Sequence, residues 1–357
     1  MKNQILSMFF FIFGFVCLLS ASEPLGVLAN FNTNSIQFID PVTQTVSDSL
    51  LKGDIGTYAG GLLDVVITPD GKTAIVSNFG DSQVFFIDIS GGFTGVPTLS
   101  GKVTISFWAE DMVISPNGKY LLVTGGGFSA AIAVVDLTTH KLIKIKDLGT
   151  RGAQAVEITP DGKNVLAADY WGGKLHRYTF SEKGVLTYAQ SVNILPCWPT
   201  NITVSPDGKT AIVVCGHRCS APIFTIDPSG ELALKSLVPL GDKGGQSCVF
   251  SRDGTKAYYL TNSAVYGAML NVLEVAGPGT VNFIKTIPVH PRRGTGHIYG
   301  IDTIAIDPLG NYLYITNPTF LGAVARISII DLTAEAQVNF IDTNGIPAGI
   351  AFTPIPE

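Results

Sequence analysis

The sequence predicts an all-β fold, a seven-bladed β-propeller of four-stranded antiparallel blades. Three observations carry this. A turn motif returns at a period of roughly 45 residues, short apolar strands flank each turn, and the two chain ends hold complementary fragments of one repeat. The motif reads Val66-Ile67-Thr68-Pro69-Asp70-Gly71-Lys72, Val113-Ile114-Ser115-Pro116-Asn117-Gly118-Lys119, Glu157-Ile158-Thr159-Pro160-Asp161-Gly162-Lys163 and Thr203-Val204-Ser205-Pro206-Asp207-Gly208-Lys209. Weaker copies are Phe250-Ser251-Arg252-Asp253-Gly254 and Ile306-Asp307-Pro308-Leu309-Gly310. Successive glycines stand 47, 44, 46, 46 and 56 residues apart. Pro presets φ for a turn, Asp or Asn follows, and Gly accepts the left-handed position that closes the hairpin.

Around each turn the strands follow in a fixed order. An apolar run such as Asp64 to Thr68 reads as an inner strand buried on both faces. A second strand, Thr73 to Asn78, and an alternating third, Gln83 to Asp88, come next, and a more polar fourth closes the unit, as in Lys141 to Ile145. No amphipathic helix interrupts the pattern. At the N-terminal end, Gly26 to Phe31 matches a second strand and Ile36 to Asp40 a third. The C-terminal Ala348 to Pro354 is an inner strand that stops at its turn proline. Six internal turns plus one shared blade make seven, and sharing a blade leaves no open edge.

Composition narrows the function classes. Charged residues are 14% of the chain and glycines number 39, as a turn-rich β protein needs. Lys2, the apolar stretch Met8–Leu19 and the small residues Ser20-Ala21-Ser22 predict a secretory signal peptide over 1–22, with one propeller domain over 23–357. The mature protein is expected to be secreted, periplasmic or at the cell surface, and not to span a membrane. Without Lys2 there are 22 basic against 28 acidic residues and no basic block, so nucleic acid is not an expected partner. No phosphate-cradling loop, nucleophile elbow or zincin motif is present, and no cofactor is expected.

The Thr/Ser-Pro-Asp-Gly-Lys turn, the strand ending in Asn (Ser77-Asn78, Thr261-Asn262, Thr316-Asn317) and the Val-x-Phe-Ile-Asp third strand resemble YVTN-repeat propellers over nearly the whole mature chain. That resemblance implies the fold. For activity it implies either a surface protein or a propeller lactonase.

Blade topology then sorts the loops. The Pro-Asp-Gly turns share one face, and the blade-to-blade crossovers and second-to-third loops share the other. The second face is varied and carries all three Trp residues, and function on repeat scaffolds lives in such loops. Binding candidates there are Trp108, Arg151, Asp169, Trp171, Trp198, Arg218, Arg292 and Tyr299. Glu110, Arg151, His217 and His297 are the catalytic candidates: a His beside a carboxylate can move protons on a lactone while Arg holds the oxyanion. His176, on a third strand, reads as a surface residue. Propeller lactonases often carry a Gly-Pro-Arg-His stretch, whereas this chain reads Gly149-Thr150-Arg151-Gly152 and Pro291-Arg292-Arg293. The clustered Trp residues and this departure favour a binding scaffold for an unidentified protein, glycan or small molecule, with lactonase-type hydrolysis as the alternative.

Four cysteines follow the signal segment: Cys197, Cys215, Cys219 and Cys248. If Ser205 faces Thr210 across its hairpin, Cys197 falls opposite Arg218, with Cys219 as its nearest cysteine. A Cys197–Cys219 disulfide is therefore expected on the varied face, and export favours it over zinc held by Cys197, Cys215 and Cys219.

Overall fold

The computed structural model describes residues 24–57, 61–126, 130–150, 152–217, 220–241, 244–263, 267–289, 303–317 and 325–355. Among the described residues the chain forms 28 strands in seven four-stranded antiparallel sheets, and no helix. Blades 1 to 6 span 62–104, 108–147, 153–193, 199–239, 245–288 and 304–342. Blade 7 joins 26–46 to 347–352.

Burial falls outward along each blade. In blade 2 the second strand, Tyr120–Gly126, is buried throughout, while the outermost, Lys141–Asp147, is largely exposed. Both faces of the inner strands are covered because each sheet packs on its neighbours. Ile75, Val84 and Phe86 of blade 1, for example, form one core with Met112, Leu121 and Val123 of blade 2. Each such side chain contributes about 1.5–3 kcal/mol by leaving water, so the ring is held by its blade-to-blade seams.

The repeated turn performs the same local chemistry in each blade. Gly71, Gly118, Gly162, Gly208, Gly254 and Gly310 take φ of 70°, 68°, 71°, 72°, 70° and 76°. The hydroxyls of Thr68, Thr159 and Ser251 each donate to the turn aspartate at 2.6 Å. That aspartate accepts the backbone N–H two residues on, as at Lys72 and Lys163. In blade 6, Asp307 stands where the hydroxyl residue stands elsewhere, and its Oδ1 accepts from Asn311 N and Tyr312 N.

One position on the inner strands, four residues before that hydroxyl, joins neighbouring blades. Asp64 Oδ2 accepts from Met112 N of blade 2 at 2.9 Å, and Asp111 Oδ2 from Val156 N of blade 3 at 2.8 Å. Asn201 Oδ1 accepts from Cys248 N of blade 5 at 3.3 Å, and Thr303 Oγ1 donates to Ala348 O of blade 7 at 2.6 Å. Gly349 occupies the same position where blade 7 meets blade 1. A Cβ there would lie 2.8 Å from Asp64 Cα and Leu63 O, so backbone meets backbone at the closing seam.

The closure follows the expected pattern. Gly26–Asn30 pairs antiparallel with Pro347–Phe352, matching Gly26 with Phe352 and Leu28 with Ile350. Thr353 N donates to Leu25 O, and Thr353 Oγ1 accepts from Leu25 N.

The disulfide differs from the sequence expectation. Cys197 pairs with Cys215, at a Cα–Cα distance of 5.1 Å, and Cys219 lies outside the described residues. The register also differs: a β-bulge in the inner strand of blade 4 shifts it between Pro199 and Asn201. The bulge absorbs one residue, so Pro199 faces Cys215 and the residue opposite Cys197 moves from 218 to 217, which removes the advantage a regular hairpin gave Cys219. Blades 1, 2, 3 and 5 have the same bulge. The bridge ties up two of the three sulfurs the zinc alternative needs. Cys248 is a buried free thiol, and burial pushes its pKa up.

Candidate functional site

The varied face gathers its large side chains at one end of blades 2 to 4, where inner strands begin and second strands finish. Trp108 opens the inner strand Trp108–Ile114, half-exposed, with its ring centroid 4.8 Å from Phe79. Two glycines make room for it: Gly126 pairs opposite Trp108, and a Cβ on the adjoining Gly125 would lie 1.5 Å from Trp108 O. Trp171 sits in the turn after Asn164–Asp169 and is 66% exposed. Its indole covers Gly152, whose added Cβ would stand 2.8 Å from the ring.

Tyr170 links the rest. Its ring meets Trp171 edge to face at 4.9 Å and lies 6.2 Å from Trp198. Its hydroxyl hydrogen-bonds His217 Nε2 at 2.9 Å, and His217 packs edge to face on Trp198 at 4.5 Å. The disulfide anchors both sides of this group, since Cys197 immediately precedes Trp198 and Cys215 is two residues before His217.

Two residues lie where the sequence reading did not put them. Asp169 is fully buried: Oδ1 accepts from Gly172 N, and Oδ2 is 3.5 Å from His176 Nε2. It braces the Tyr170–Trp171 turn from beneath. His176 is buried as well, because a third strand packs between two blades and both of its faces are covered.

A line of carboxyls descends from the mouth along the inner strands. Glu110 comes first, accepting from Gly126 N–H, and burial pushes its pKa up to about 8. A Cβ on Gly126 would lie 3.5 Å from Glu110 Oε1 and 2.8 Å from Gly152 Cα, which places the carboxyl beside the residue that follows Arg151. Below it, Asp64 and Asp111 share a hydrogen bond; burial raises both, and the charge of Asp64 raises Asp111 further. Glu157, lower on blade 3, is pushed by burial up to about 7. Burial thus favours the protonated form of Glu110.

Of the four catalytic candidates, Glu110 stands on blade 2 and His217 on blade 4, with blade 3 between them. Arg151 and His297 lie outside the described residues, as do Arg218, Arg292 and Tyr299. The sequence reading missed Asp64, Asp111 and Glu157. The signal was present, since each is a carboxylate in an otherwise apolar inner strand.

The sequence and the fold match known proteins at two levels. Residues 128–242 match the model of a family described as lactonase, 7-bladed beta-propeller, a stretch that holds Trp171, Trp198, His217 and the disulfide. Among individual proteins, the chain is 25% identical over 245 residues to a 6-phosphogluconolactonase of Yersinia enterocolitica, covering 64% of this chain and 69% of that protein. In fold it is similar to a functionally unknown protein of Desulfotomaculum acetoxidans, at a TM-score of 0.79 and 19% identity over 93% of this chain and 99% of that one. The periplasmic gluconolactonase of Pseudomonas aeruginosa is a further structural neighbour, at a TM-score of 0.76 and 16% identity over 93% and 99% of the two chains. These matches correct the expectation of a non-catalytic binding scaffold: the family model and the curated relative are both lactonases, and they favour the hydrolase alternative.

Proposed function

We propose that this chain is a lactone hydrolase working at the mouth of the propeller, with a sugar lactone of the gluconolactone kind as substrate. The match of 245 residues to a 6-phosphogluconolactonase carries this reading. The YVTN-type repeat and export through the segment 1–22 belong to the same proposal. A disulfide between Cys197 and Cys215 suits an oxidising compartment.

In this mechanism a water attacks the lactone carbonyl carbon and gives its proton to His217. The new carbon–oxygen bond forms as the carbonyl oxygen takes negative charge. As the carbonyl re-forms, the bond from that carbon to the ring oxygen breaks, and Glu110 donates its proton to the departing oxygen. The product is the open hydroxy acid. Glu110 suits the acid role because burial keeps it protonated at neutral pH.

A pH-stat assay of the full mature chain on δ-gluconolactone, its 6-phosphate and δ-valerolactone tests this. Saturable hydrolysis of a sugar lactone above the spontaneous rate is expected. Glu110→Gln should lower kcat by about 10²–10⁴-fold, the usual contribution of a positioned acid. Hydrolysis no faster than the blank for every lactone would overturn the reading.

A further inference from the structure

We infer that Trp171 and Trp198 form a stacking subsite for the ring of the sugar, with His217 and Tyr170 as its polar edge. The inference rests on the hydrolase reading for the bond that breaks, but not for the ring that binds.

Trp171 is 66% exposed and Trp198 is 38% exposed, and both belong to one contact network. Trp171 meets Tyr170 at an interplanar angle of 86°, and Trp198 meets His217 at 88°. Edge-to-face contacts of this kind fix ring planes. The network is clamped from below: the Cys197–Cys215 bridge joins the segments carrying Trp198 and His217, and Gly152 admits the indole of Trp171 onto its backbone. Exposed indoles held in place lose little freedom when a ligand arrives, which favours binding.

The chemistry of the cluster selects the ligand. A six-membered sugar ring presents a patch of C–H bonds on its face and hydroxyls around its rim. An indole face covers the first, while the exposed His217 imidazole, held by the buried Tyr170 hydroxyl at 2.9 Å, meets the rim hydroxyls. Pockets for small molecules combine such an apolar wall with a few placed polar groups.

The test titrates the intrinsic tryptophan fluorescence of the full chain with D-glucono-δ-lactam, a ring that is not hydrolysed as the lactone is, and with δ-valerolactam, the same ring without hydroxyls. Saturable binding of the hydroxylated lactam is expected, at least about tenfold tighter than the bare one. Trp171→Ala should weaken it about tenfold, and Trp171→Phe should restore most of the affinity. In steady state Trp171→Ala should shrink the preference for δ-gluconolactone over δ-valerolactone, through KM more than kcat. Equal affinity of wild type and Trp171→Ala for the hydroxylated lactam, or equal affinity of wild type for both lactams, overturns the subsite. If wild type binds the hydroxylated lactam through Trp171 yet cleaves no lactone, the hydrolase reading falls and the subsite stands.

Discussion

Glu110, Asp64, Asp111 and Glu157 are all raised by burial, so protonation is part of the folded state at the axis. Their unfolded values are near 3.8 for Asp and 4.5 for Glu, below the folded ones. Between those limits the folded chain binds more protons than the unfolded chain, so stability is full at the acid end and lost as pH rises towards about 8. Turn carboxylates such as Asp161 and Asp253, held low by hydrogen bonds, act below that window. The melting temperature is therefore expected to fall from about pH 5 to about pH 8.5 by calorimetry, and Glu110→Gln should flatten the upper half of the fall. A melting temperature that rises across this range would contradict the assignment. At this scale the sequence was informative about turn residues, whose roles follow from neighbours two or three positions away. It was misleading for His176 and Asp169: polar residues on a second or third strand look exposed until blades cover both faces.

Strands and loops were legible in type and order, because alternation and Pro-Asp-Gly punctuation are local signals. The bulge was not. A one-residue insertion between Pro199 and Asn201 leaves hydrophobicity unchanged but moves every upstream pairing by one, so the register that favoured Cys219 no longer holds. Non-reducing peptide mapping should recover Cys197 joined to Cys215 and Cys248 as a free thiol. Recovery of Cys197 joined to Cys219 would contradict the Cys197–Cys215 bridge. Replacing Cys215 by Ser should cost about 3 kcal/mol, the value for a loop of this length. It should also loosen Trp198 and His217, raising KM as well as lowering the melting temperature. The same element-scale reading located the aromatic residues on the varied face, since Trp108, Trp171 and Trp198 all open or follow strands at that end.

Across the whole molecule, the shared blade and the inner-strand links make the ring a single closed unit. Removing residues 348–357 deletes most of the inner strand of blade 7 and its bonds to Leu25, so the truncated chain should lose cooperative unfolding. Gly349→Leu probes the same seam with one residue, because no Cβ fits between Gly349 and Asp64. Overpacking of this sort costs about 1–3 kcal/mol, and an unchanged denaturant midpoint would contradict the close approach. The closure was readable from the two chain ends, which repeat recognisable halves of one blade. The proposed activity was not, because in the mechanism proposed above it depends on a carboxyl made neutral by surroundings that only the assembled ring supplies. The pH dependence of kcat/KM for δ-gluconolactone measures that most directly. With Glu110 as the acid, the profile should descend with a midpoint near 8, and Glu110→Gln should lose both the limb and most of the rate. A profile and rate unchanged by Glu110→Gln would contradict the mechanism.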